Sequence, residues 1–207
     1  PIKLADGVVS TPALVMGKEA QPIVAPDNFQ RIIPETYKAD MHYDINSATV
    51  LKGEKNSADI KDIKSKVQAA NLKENHKIRG VNVSAYASPD GEIDFNDKLA
   101  GNRSKTATKF FQSELKKLEV GQADQDSFFK MMSTAEDWEG FKELVSSSNI
   151  QDKELILRVL SMYNDPVVRE KEIKNISAVF TELAEKILPQ LRRSQFEVNV
   201  DVIGKSD

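Results

Sequence analysis

From Tyr37 to Val50 apolar and polar residues alternate, with Ala39, Met41, Tyr43 and Ile45 on one side and Lys38, Asp40, His42, Asp44 and Asn46 on the other. That period of two predicts a half-exposed strand. After Ser57, a suitable helix N-cap, the period lengthens: Ile60, Ile63, Val67 and Ala70 line one side of a predicted helix that Asn71 to Asn75 ends. A second strand is predicted over about 78–87 and a second helix over about 94–118, with Lys116 and Lys117 placing positive charge at its C-terminus. A βαβα opening implies a sheet with right-handed crossovers and helices packed on a face. Ser127 to Thr134 suits a strand or a helical turn, and the strand is the reading adopted. Two further helices follow, Glu136 to Ser146 with Trp138, Phe141, Leu144 and Val145, and Asp152 to Tyr163 with Leu155, Ile156, Val159 and Leu160. Asp165-Pro166 then opens a long predicted helix carrying Ile173, Ile176, Phe180, Leu183 and Ile187, which Pro189 stops. Residues 1–34 differ in character: they are Pro-rich and hold short apolar runs such as Ala13 to Met16, which predicts an extended or β arm, a strap or the end of a preceding β-domain.

The stretch Tyr86-Ala-Ser-Pro-Asp-Gly91 joins the second strand to the second helix through a tight turn and leaves a polar loop at the helix start. Asn96, Leu99 and Arg103 follow at i, i+3 and i+7, one helix face that Ala107 and Phe110 continue as an apolar stripe. An arginine on such a face needs a partner. Arg103 either pairs internally with a loop carboxylate such as Asp90 or Asp94, or it receives a carboxylate from a ligand. Asn96 is a first-turn polar residue or part of the same loop, and Leu99 is most simply core.

These residues resemble the C-terminal domain of the OmpA family, in which a strand leads through a loop to Asn, Leu and Arg on a helix. Tyr43-Asp-Ile-Asn-Ser-Ala-Thr-Val50 is similar to the family's first strand and its exit, and Leu191-Arg-Arg193 running into Phe196 to Val202 is similar to the opening of its last strand. The resemblance covers about residues 37–203 in order. It implies an α/β (α+β) fold, a mixed sheet with two main helices on one face, over residues 35–207, with a helical insertion at about 136–188 before the last strand. It also implies a noncatalytic periplasmic or outer-membrane-associated module that holds the peptidoglycan stem peptide. The expected ligand-binding residues are Ser88, Asp90, Asn96, Leu99 and Arg103. The family's loop usually carries an aspartate that holds the diamino acid's ammonium, and here that position is Ser88. Serine cannot neutralise an ammonium, and Asp90 substitutes only if the loop folds back. The variant loop, with Ala135 to Phe141 and Leu188 to Arg193, looks like a Bacteroides-type branch of the family. The alternative function is therefore an envelope scaffold that binds proteins and has lost peptidoglycan.

Composition narrows the rest. The 207 residues are 40% hydrophobic and 29% charged, which describes a folded domain rather than a disordered chain. A net charge of -3 with scattered Lys and Arg gives no basic stripe in the sequence and argues against nucleic acid. No apolar run is long enough to span a bilayer. The absence of cysteine excludes disulfides and thiolate sites, and Pro1 in place of an initiator Met points to a piece of a larger protein. Asp40-x-His42-x-Asp44 places three ligand types on one strand face, but solvated strand faces look the same, and neighbouring side chains on one strand seldom converge on a tetrahedral ion. Ser84, Ser88 and Ser104 lack a nearby base, and His42 and His76 belong to different elements, so nucleophilic catalysis has no candidate. No motif calls for a cofactor. Trp138 is read as core rather than as a sugar platform.

Overall fold

The computed structural model describes residues 31–204, with residues 177–179 by their backbone only. The predicted arm over 1–34 lies outside these residues except for Arg31 to Pro34, of which Ile32, Ile33 and Pro34 open the first strand. The chain runs β1 (Ile32–His42), α1 (Ala58–Asn71), β2 (His76–Tyr86), α2 (Ile93–Lys117) and β3 (Phe129–Thr134). Five helices follow, α3 (Trp138–Ser147), α4 (Lys153–Met162), α5 (Pro166–Asn175), α6 (Ser177–Lys186) and α7 (Leu188–Leu191), before β4 (Arg193–Ile203).

The described strands form a mixed four-stranded sheet in the order β1-β4-β2-β3. β4 runs antiparallel to both neighbours, and β2 and β3 are parallel. A parallel pair needs a crossover, which α2 supplies. Alternation along the strands fixes the faces. Ala39, Met41, Val81, Val83, Phe196, Val198 and Val200 point to one side and are buried against Ile60, Ile63 and Val67 of α1 and Ala107, Phe111 and Leu115 of α2. Phe111 stacks on Phe196 with ring centroids 4.5 Å apart. Each large apolar side chain buried here contributes about 1.5–3 kcal/mol. The other face carries ion pairs such as Lys38–Glu197 at 2.6 Å and Arg79–Asp201 at 2.8 Å.

Four expectations change. The first strand ends at His42 instead of continuing to Val50, and Ile45 is 60% exposed. The chain turns at Asp44 to Ser47, with Ser47 N–H donating to the Asp44 carbonyl and Asn46 at φ 54°. The carbonyls of this turn are held by α2, as described below, and that tertiary demand overrides the alternation. The long helix expected from Asp165 is two, because Ile176 leaves helical geometry at ψ 68° between Asn175 and Ser177, both weak helix formers. Pro189 does not stop a helix but sits in the first turn of α7, where a missing N–H costs nothing. On α2, Phe111 rather than Phe110 fills the core, and Phe110 packs at its margin.

Helices α3 to α7 build a second core of their own around Phe141, Val145, Ile156, Leu183, Ile187 and Leu191. Two of their starts are capped by side chains, that of α3 by Asp137 accepting from Gly140 N–H at 2.9 Å and that of α5 by Asp165 accepting from Val167 N–H at 2.9 Å. Ser57 caps α1 in the same way through Ile60 N–H.

Candidate functional site

The loop after β2 is tied down on both sides. Ala87 N–H donates to the Thr134 carbonyl at 3.0 Å and the Ala87 carbonyl accepts from Asp137 N–H at 3.3 Å, so the end of β3 and the start of α3 clamp it. Ala87, Ser88 and Pro89 are buried. Gly91 adopts φ 130°, a conformation other residues rarely tolerate, and turns the chain into α2.

Arg103 has no exposed surface. Its Nε donates to the Ser47 carbonyl at 2.9 Å, Nη1 to the Tyr86 carbonyl at 2.9 Å and Nη2 to the Asp44 carbonyl at 3.2 Å. The guanidinium carbon lies 4.9 Å from the Tyr43 ring centre. Among the described residues no carboxylate forms an ion pair with it, so neither Asp90 nor Asp94 is its direct partner. Burial lowers its pKa to about 10, with Tyr43 opposing that fall, the nearby Arg192 adding to it and Asp90 opposing it. Arg103 therefore joins the turn after β1 to the end of β2. It is a strut between two loops, with no free face in this conformation toward a ligand.

The other expected residues are placed as follows. Asn96 is buried and its Nδ2 donates to the Ser88 carbonyl at 3.2 Å, holding the loop over the first turn of α2. Leu99 packs with Ala87 and Ala100. Ser88 Oγ accepts from Arg192 Nε at 3.4 Å, and Asp90 Oδ2 lies 3.5 Å from Arg192 Nη2. Asp90 Oδ1 is buried and has no hydrogen-bond partner among the described residues. The structure thus brings Ser88, Asp90, Asn96 and Arg103 to one end of the sheet.

Residues outside the expected set complete the arrangement. Glu170 of α5 accepts from Gly91 N–H at 2.9 Å and is neutralised by Lys174 at 2.5 Å. Pro89 and Asp90 line a cavity of about 20 Å³, the size of one water, together with Trp138, Phe141, Glu170 and Leu188. Arg193 lies over the Tyr86 ring at 4.6 Å and faces Asp137 at 2.9 Å, a charge contact without the alignment of a hydrogen bond. Tyr43 Oη and Ser194 Oγ share a hydrogen bond of 2.9 Å. The tandem Arg192-Arg193 was a visible sequence signal for this cluster. Glu170 had none, being one acid among many on a charged helix.

The possible metal triad is dispersed. Asp40 accepts from Gln195 Nε2 at 3.1 Å, His42 lies 3.7 Å from Glu54, and Asp44 is past the end of the strand. Among the described residues no group of His, Cys, Asp or Glu is arranged to hold a metal ion. No helix among them is long and apolar enough to cross a membrane. Trp138 packs edge-on against Phe141 at 5.7 Å and donates to Glu136.

Comparison with protein-family models finds no match for this chain, and comparison with curated proteins finds none either. What the fold and site define is a mixed α/β domain whose β2–α2 loop is closed by Glu170 of its own helical segment and by Arg192 just before β4.

Proposed function

We propose that this chain is a noncatalytic, OmpA-like module of the cell envelope that serves as a protein-interaction scaffold, with its peptidoglycan loop filled from within. Support for the OmpA-like part comes from the sequence resemblance together with a mixed sheet, two helices on one face and a helical insertion before the last strand. The observation that carries the scaffold reading is the loop's occupancy. Arg103 is wholly buried on three carbonyls. Asp90 is engaged by Arg192 and Gly91 N–H by Glu170. A stem-peptide carboxylate would have to displace backbone acceptors from Arg103, and its ammonium would meet Ser88 where the family offers an acid.

The test is co-sedimentation with purified diaminopimelate-type peptidoglycan. The wild-type chain is expected to stay in the supernatant. Sedimentation that is lost in Asp90→Ala, with folding intact by circular dichroism, would overturn the scaffold reading and restore a stem-peptide site built on Asp90. The same experiment on Glu170→Ala asks whether the insertion alone closes the loop.

A further inference from the structure

The structure assembles a basic groove that the linear sequence conceals. It runs between the 48–55 segment and α2 as a shallow groove of about 860 Å³ open to solvent, and carries Lys55, Lys105, Lys109 and Lys117 around an apolar wall that includes Val50 and Phe110. Among the described residues its only lining carboxylate is Glu114, which is already bonded by Lys64 and by Lys117 at 2.5 Å. Lys55, Lys105 and Lys109 form no ion pair among the described residues, although the chain as a whole carries a net charge of -3. Lys105 and Lys109 are also one turn apart on the same helix face, a like-charge pair that weakens a helix and serves no packing purpose.

The groove is built rather than incidental. Arg103 holds the Ser47 carbonyl, and Thr106 Oγ1 donates to the Ala48 carbonyl at 2.7 Å, so two side chains of α2 fix the opposite wall at a set distance. Asn102, Thr49 and Ser113 add neutral hydrogen-bonding groups along the lining.

We infer that this groove binds a ligand carrying clustered phosphate groups, the phosphates on Lys55, Lys105 and Lys109 and a less polar portion against Val50 and Phe110. Lysine recognises phosphate as a point charge, and several ammonium groups along one groove favour a multivalent anion over a single carboxylate. A lipid headgroup surface and a soluble phosphate ester share this chemistry, and the experiment separates them. The inference stands apart from the closed loop and does not depend on it.

Binding is measured in two arms, calorimetric titration with inorganic pyrophosphate and flotation with vesicles of phosphatidylglycerol in phosphatidylcholine against phosphatidylcholine alone. The wild-type chain is expected to bind in at least one arm, more weakly as salt is raised. Lys105→Gln/Lys109→Gln should weaken that binding about 30-fold. A control on α1 and the loop after it, Lys61→Gln/Lys73→Gln, should leave it unchanged. Both variants alter exposed side chains, and their melting curves check that they fold. Pyrophosphate binding alone assigns a soluble ester, and vesicle binding alone assigns a lipid surface. No binding in either arm, an undiminished Lys105/Lys109 variant, or an equal loss in the control would overturn the inference.

Discussion

At the scale of single residues, Arg103 shows how a charge becomes part of a core. Its three carbonyl partners belong to the turn after β1 and to the end of β2, so deleting the side chain leaves part-buried acceptors in two places at once. Arg103→Ala is expected to cost about 3–5 kcal/mol in urea unfolding, with a Tm fall of roughly 10 °C. Arg103→Lys should recover only a minor part, since one ammonium cannot reach three carbonyls arranged around a planar fork. A folded, undiminished Arg103→Ala would mean that the site is not structural. Glu114 gives a pH-dependent counterpart. Burial pushes its carboxyl up, but hydrogen bonds and charge from Lys117 and Lys64 outweigh this and hold it below the usual range. The folded state then binds fewer protons than the unfolded one, so the contribution is full above the unfolded carboxylate range and is lost as pH falls through the folded value. Glu114→Gln should therefore melt lower than wild type at neutral pH, and the gap should close on acidification.

At the scale of elements, what was readable in the sequence was local, and what was not depended on distant chain. Ser57 and Asp165 announced helix starts because a cap acts within three residues. The buried faces of α1 and α2 followed from spacing, apart from the exchange of Phe110 for Phe111, a choice that the α2–β4 contact makes. The end of β1 was hidden because residues 43–50 alternate like a strand, while the turn that replaces it is held by Arg103 from α2. Asp137 combines both kinds of information. It caps α3 through Gly140 and faces Arg193 at the start of β4. Asp137→Ala should cost about 3 kcal/mol, part from the cap and part from leaving Arg193 only the more distant Asp40 at 3.9 Å. Asp137→Asn keeps a capping oxygen and removes the charge, so chemical denaturation of the two variants divides the cost between the two roles. Equal losses would assign it to the ion pair, and a neutral Asp137→Asn would assign it to the cap.

At the scale of the whole described unit, two hydrophobic cores share one chain. The core between the sheet and α1–α2 and the core of α3–α7 contain different residues. Near the β2–α2 loop, polar contacts join the two, with Glu170 on Gly91, Arg193 on Asp137 and the Asp137 amide on Ala87. Polar links of this kind contribute about 1–3 kcal/mol each, far less than either core. The helical segment is therefore expected to open without unfolding the sheet. Sequence periodicity could show that each core exists, but not that Glu170 reaches Gly91, because nothing local to either residue records the contact. Hydrogen exchange followed by mass spectrometry tests the arrangement. Amides of α3–α7 should exchange faster than those of β2 and β4, and Glu170→Ala should speed exchange in α5 and in residues 88–92 while leaving β2 and β4 at the wild-type rate. Faster exchange confined to the segment and its loop would make Glu170 a latch on a separable unit. A uniform change across both cores would instead make the described chain one cooperative block, in which the loop opens only when the sheet does.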